Sequence, residues 1–205
     1  MVTIKIYIEG GGEGKDLDIR FREAWTKFFK AAGLSGRLPR PIRGKGRTNT
    51  YELFRTAIQH GNPEELPLLL VDSEGPVDAN HSVWQHLKIR DAWEKPEQAS
   101  EKHAYLMVQI METWFLSDLE TLGAYFGHKF KPDKIPQWVD LESVSKQKIL
   151  DVLEKSSTEC GQRRYTKGKI SFELLAVIRP ESVAARCPHA KAFLGFLADG
   201  QYVRH

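Results

Sequence analysis

Apolar and mixed residues alternate from Val2 to Ile8, the period-two pattern of a strand, and Gly10-Gly-Gly12 closes it. From about Lys15 to Ala32 the pattern changes. Leu17, Phe21, Trp25, Phe28 and Phe29 recur at three- and four-residue steps, which predicts a helix, and Gly33 ends it as a C′ glycine does. A short strand at Arg40 to Arg43 is expected beside Pro39 and Pro41, then a helix from Thr48 to His60 before Gly61 and Pro63. Leu66 to Val71 is a continuous apolar run bounded by turn residues, which reads as a strand covered on both faces. The order strand, helix, strand, helix, strand predicts an α/β fold: an open, mostly parallel, doubly wound sheet with helices on both faces. Gly75 to Lys102 is polar and reads as a long loop, of the kind that forms lids or binding loops. A fourth strand at Tyr105 to Ile110 and a helix at Glu112 to Phe126 follow, then helical segments near 144–153, 171–178 and 189–197. The expected organisation is an α/β core over 1–126 and a mostly helical extension over 127–205 packed on it.

A chain of 205 residues supports one large domain or a core with an appendage. Its 41% hydrophobic and 28% charged content is ordinary for a globular protein, and a formal charge of +3 by itself selects no partner. The two cysteines, Cys160 and Cys187, lie far apart, which argues a reducing compartment. Cys187-Pro-His189 lacks the accompanying Cys-x-x-Cys of a structural zinc site. The opening residues are too short and strand-like for a signal peptide, and no apolar run approaches the ~20 residues of a membrane span. A soluble, cytoplasmic protein with no membrane partner is expected.

The glycine-rich turn Glu9-Gly-Gly-Gly-Glu-Gly-Lys15 is not a phosphate cradle. A P-loop needs glycine where Glu9 stands and a hydroxyl where Asp16 stands, and the G-x-G-x-x-G frame opening at Gly10 meets Lys15 at its last position. Glu9 and Glu13 would repel a bare phosphate; a metal ion bridging carboxylate and phosphate oxygens removes that conflict. The same glycines also fit a plain tight turn, with Glu13 complementing the positive end of the following helix.

A second acid pair follows the buried third strand, at Asp72 and Glu74. Ligands of open parallel sheets bind beyond the carboxyl ends of strands, and both Glu9 and Asp72 fall at such ends. Residues two apart in extended chain point the same way, so Asp72 and Glu74 are expected to share an ion. Four acids gathered there call for a divalent cation, and Mg²⁺ or Mn²⁺ suits an oxygen-only site; the plainer alternative is a solvated acidic turn. Glu112, directly after the fourth strand, is a further candidate ligand, although a carboxylate at a helix start needs no metal to explain it.

A strand ending in Glu-Gly with a second acid four residues on, followed by a buried strand ending in Asp-x-Asp or Asp-x-Glu, resembles the Toprim pattern of topoisomerases, primases and overcoming-lysogenization-defect nucleases. Over nearly its full length the chain resembles the domain-of-unknown-function family 4276 (DUF4276). The matching stretches are Ile6 to Glu13, Leu66 to Glu74, Trp84 to Trp93, His103 to Leu116 and Tyr165 to Leu175. The resemblance implies a Toprim-like fold, Glu9 as acid or base, Asp72 and Glu74 as metal ligands, and an ATPase partner of AAA or ABC type in bacterial anti-phage defence. Glu74 stands where a second Asp is more usual, and its longer side chain still reaches a metal.

Arg37, Arg40, Arg43, Lys45 and Arg47 come with no acid between them, which suits either a polyanion track or a solvated basic edge. Arg163, Arg164, Lys167 and Lys169 form a second group. In it Lys167 is the candidate partner of a scissile phosphate, and the family resemblance raises it above the others. The polar stretch adds His86, Lys88 and Arg90 as nucleic-acid contacts, with Trp84 and Trp93 either stacking bases or simply packing. Together these features predict a metal-dependent phosphodiesterase acting on DNA or RNA. The alternative is a non-catalytic subunit of the same fold that binds nucleic acid or an ATPase.

Overall fold

The computed structural model describes residues 2–12 and 14–200. Among them four strands, β1 (Thr3–Ile8), β2 (Arg40–Arg43), β3 (Glu65–Asp72) and β4 (Ala104–Met107), form one all-parallel sheet in the order β2-β1-β3-β4. The register sets Ile6 beside both Pro41 and Leu68, and Leu70 beside Tyr105. β2 pairs only with β1, so the missing N–H of Pro41 falls on an edge strand, where it breaks no ladder. β3 is central and buried throughout from Leu66 to Asp72, as its unbroken apolar run requires.

The pleat divides the strands between two cores. Ile4, Ile6, Ile8, Leu66, Leu68 and Leu70 face one side; Tyr7, Leu69 and Val71 face the other. On the first side lies α1 (Lys15–Ala31), which buries Phe21, Trp25, Phe28 and Phe29 at the expected spacing and ends at Gly33 with φ +81°. Trp114 stacks on Phe28 at 5.5 Å, the two ring planes 20° apart, and meets Trp25 edge-on at 5.9 Å. The C-terminal helices α5 (Lys146–Ser157), α6 (Lys169–Leu175), α7 (Pro180–Arg186) and α8 (Pro188–Asp199) contribute to this same apolar core, so they and the sheet face share one interior.

On the second side α2 (Arg47–Gln59) buries Tyr51 and Phe54. The expected long loop after β3 is here a β3-to-β4 crossover carrying a helix, α3 (Val83–Asp91). Ser82 and Gln85 make a reciprocal capping box: Ser82 Oγ accepts from Gln85 N at 3.3 Å, and Gln85 Oε1 accepts from Ser82 N at 2.7 Å. Charged and apolar residues are mixed around this helix, so no apolar stripe announces it. Trp84, Leu87 and Trp93 nevertheless bury against β3 and β4, which makes the segment a packed layer rather than a lid. The helix expected over 112–126 also divides. Met111–Ser117 is a 3-10 run, and α4 (Leu119–Phe126) starts at Asp118, whose carboxylate accepts from Thr121 N at 3.2 Å. A strong N-cap here overrides an apolar periodicity that runs through it.

Candidate active site at the switch point

From β1 the chain moves outward to β2, then crosses back to β3 and on to β4. The order reverses between β1 and β3, and ligands of such sheets bind at the carboxyl ends there. Glu9 follows β1 directly, its N–H still paired with Leu70 O at 3.2 Å, and Asp72 is the last residue of β3.

Asp72 is 7% exposed. Its Oδ1 accepts from Met111 N at 2.9 Å, the one hydrogen bond to this carboxylate among the described residues. Burial pushes its carboxyl well above the usual range, the negative fields of Glu112 and Glu9 push it further, and Lys167 opposes them. The Glu9 carboxyl is also raised, first by burial, with Arg47 pulling against it and Glu74 adding to it. Glu112 is 1% exposed, and its Oε1 accepts from Tyr165 Oη at 2.9 Å and Ser171 Oγ at 3.1 Å. Burial, and after it that carboxylate, raise the Tyr165 phenol. Lys167 is exposed, makes no hydrogen bond or ion pair among the described residues, and lies within the fields of both Glu9 and Asp72.

Glu74 does not join Asp72. The strand ends at Asp72, Glu74 has φ 63°, and the alternation that would aim both side chains one way is lost. Its carboxylate meets Lys146 and, at 3.9 Å, Arg90. Burial pushes this carboxyl up, but Lys146, Arg90 and Arg47 outweigh it and hold it below the usual range. Glu13 lies outside the described residues.

A family model described as a domain of unknown function, DUF4276, matches residues 8–198. The chain belongs to the DUF4276 family. No curated protein and no solved structure gives a significant match. Every acid just described, and Lys167, falls inside the matched region of this DUF4276 chain.

Among the described residues no three His, Cys, Asp or Glu side chains converge closely enough to enclose an ion. Mg²⁺ does not require such a cage: it usually keeps several waters and uses one or two carboxylates together with substrate phosphate. Glu9 and Asp72 are an oxygen-only pair at neighbouring strand ends, and the fields of Glu9 and Glu112 both bear on Asp72. Hard oxygen donors with surplus negative charge fit Mg²⁺ or Mn²⁺ and do not fit a thiolate- or imidazole-seeking metal.

Much of the predicted basic track is paired within this DUF4276 member, Arg43 and Arg47 inside and Lys45 and Lys88 at the surface. The Arg43 side chain is 4% exposed; its Nη1 donates to Asp18 at 2.7 Å and its Nη2 to the carbonyls of Gly11 and Gly12. This explains the glycines. A Cβ on Gly10 would lie 3.1 Å from Arg43 Cγ, and Gly12 has φ +82°, so these two positions of the turn are shaped to wrap an arginine. Lys45 pairs with Asp18 at 3.2 Å, and Lys88 with Glu94 at 2.9 Å. His86 is buried, with Nε2 3.0 Å from Ser73 O. Trp84 and Trp93 are buried too, which settles them as packing residues.

Arg47, 15% exposed, donates from Nη1 to Glu9 Oε2 at 2.9 Å and to Asp72 O at 2.6 Å, and pairs in a fork with both oxygens of Asp91 at 2.9 and 2.7 Å. Arg90 meets Asp91 and Glu74. A string of alternating sign therefore runs from the end of β1: Glu9, Arg47, Asp91, Arg90, Glu74, Lys146. Asp91, Lys146, Tyr165 and Ser171 were not anticipated. Lys146 is 72 residues from Glu74 and no local pattern joins them, whereas Asp91 stands inside the Trp84 to Trp93 stretch that carries the family resemblance.

Proposed function

We propose that this DUF4276 chain is a Toprim-like phosphodiesterase that uses Mg²⁺ or Mn²⁺ to cleave DNA or RNA. The observation that supports it most is Asp72: a buried carboxylate at the carboxyl end of the central strand, strongly disfavoured as an anion by burial, Glu112 and Glu9. An isolated fold has little reason to keep such a charge unless a cation compensates it. Asp72 and Glu9 would hold the ion, with Glu112 braced behind them by Tyr165 and Ser171. The ion, when bound, neutralises charge on the phosphate and acidifies water. Glu9 Oε2 is engaged by Arg47, which leaves Oε1 to accept the proton of the attacking water. Its raised carboxyl brings it nearer to working pH, as a general base requires. Lys167, exposed and in the field of both acids, supplies a point charge for the scissile phosphate.

A second reading, a non-catalytic subunit that binds nucleic acid or an ATPase, is favoured by one feature: Glu9 and Glu74 are both in ion pairs. Asp72 is in none among the described residues, which favours the enzyme. An ATPase partner and a role in anti-phage defence rest on the family resemblance alone. No helix among the described residues is long and apolar enough to cross a membrane. The test is cleavage of single- and double-stranded DNA and of RNA with Mn²⁺ or Mg²⁺. Metal-dependent cleavage that drops about 10²- to 10⁴-fold in Glu9→Gln, the range for losing a general base, supports the enzyme. Binding of these polymers without cleavage supports the subunit.

A further inference from the structure

We infer that Asp91 is a positioning residue of this site, fixing Glu9 through Arg47; the inference rests on the reading of Glu9 as a working acid–base residue. A lone arginine on a surface helix samples many rotamers, and a carboxylate paired with it moves with it. Arg47 has no such freedom. Its guanidinium is held on one edge by both oxygens of Asp91 at 2.9 and 2.7 Å. Its remaining nitrogen reaches Asp72 O at 2.6 Å and Glu9 Oε2 at 2.9 Å. One face lies 5.0 Å from the centre of the Trp93 ring, which itself stacks on Tyr51 at 4.5 Å with the planes 6° apart.

Three elements thus meet in one planar group: the end of β1, the end of β3 and the last residue of α3. Among the described residues Asp91 is the only one of its acceptors that belongs neither to the strand ends nor to the proposed chemistry. A bidentate fork and an aromatic plate fix the plane of an arginine in a way a lysine cannot reproduce. The consequence is local to Glu9. One carboxylate oxygen is held by Arg47, and the group it belongs to is kept where its field reaches Asp72. Asp91 touches neither substrate nor ion and acts only by keeping Arg47 in this plane, as the outer hydrogen-bond partners of metal sites do.

The test uses the full chain with Asp91→Asn, Arg47→Lys and the double variant, and reads kcat and KM for Mn²⁺-dependent cleavage. Asp91→Asn keeps the side-chain size but turns an amide towards the Arg47 Nη2 donor. The expected result is a kcat loss of about 10- to 100-fold, the usual effect of removing an outer partner of a metal site, with KM for the polymer unchanged. Adding Asp91→Asn to Arg47→Lys should cost nothing more, because both act through the same contact. Additive losses, or a melting-temperature drop with kcat intact, would overturn the inference. A wild type that cleaves no polymer overturns the nuclease reading instead. The clamp is then judged by solvent exchange of the Arg47 Nε–Hε proton: a rise of about tenfold or more in Asp91→Asn sustains it, and equal exchange refutes it.

Discussion

Replacing Asp72 by Asn should stabilise the metal-free protein at neutral pH. The side chain keeps its size, and Asn Oδ1 still accepts from Met111 N, the bond that Asp72 makes at 2.9 Å. What disappears is a buried charge facing Glu112 and Glu9. The sign follows from linkage. A carboxyl raised in the folded state binds more protons there than in the unfolded chain. Stability therefore falls as pH rises from the ordinary Asp value of 3.8 through the raised one, and stays lower above it. A buried charged acceptor with too few donors costs on the order of 1–3 kcal/mol. Relief of about 2 kcal/mol corresponds to a rise of roughly 4–8 °C in Tm for a domain of this size. The assay is thermal melting in chelator from pH 3 to 8, with and without Mn²⁺. The gain should grow as pH rises above 3.8, level off once pH passes the raised value, and vanish well below 3.8, where both states are protonated. Mn²⁺ at 100 times its Kd should add about 2.7 kcal/mol to the wild type and little to the variant. An Asp72→Asn protein less stable than wild type in chelator would refute the electrostatic reasoning.

Asp118 is fully buried and held by Arg179, Thr121 and two backbone N–H groups, which outweigh its burial and bring its carboxyl down to about 2. Its folded value lies below the unfolded one, so its contribution is complete above pH 3.8 and is lost as pH falls towards about 2. Asp118→Asn should therefore be about 2 kcal/mol less stable than wild type by urea melts at pH 6, discounted for the exposed Arg179, with the difference closing under acid. Ser82→Ala removes half of the α3 capping box and should cost about 1 kcal/mol, read in the same melts. Arg43→Lys cannot reproduce the three contacts to Asp18, Gly11 and Gly12. It should speed hydrogen exchange at Gly10 to Gly12 with little effect on strand amides.

The parts of the fold legible in the sequence were those where one physical requirement acted alone. β3 announces itself because a strand covered on both faces must be apolar throughout, and α1 because its buried face repeats cleanly and Gly33 supplies a left-handed stop. α3 was missed because its apolar positions are interrupted by His86, Lys88, Arg90 and Asp91; the Ser82-x-x-Gln85 cap was the available signal. At the site, Glu9 and Asp72 were legible from strand ends alone. Glu112 and Lys167 were legible too, but Asp91, Lys146, Tyr165 and Ser171 were not, because those depend on tertiary placement. Glu74 was paired with Asp72 by an alternation that its positive φ breaks, and Glu112, 40 residues on, supplies the nearby field instead. The basic run from Arg37 to Arg47 read as surface charge, yet Arg43 and Arg47 are held inside by Asp18, Glu9 and Asp91. Charge pattern gives sign and density; it does not say which cations already have partners.

The most direct test of the central claim is electron paramagnetic resonance of free aqueous Mn²⁺ titrated with wild type, Asp72→Asn and Glu9→Gln. The account predicts saturable loss of the free-ion signal with wild type, weakened about 10-fold or more in each variant, as for loss of a charged ligand. Equal depletion of the signal by all three proteins, or none by the wild type, would contradict it.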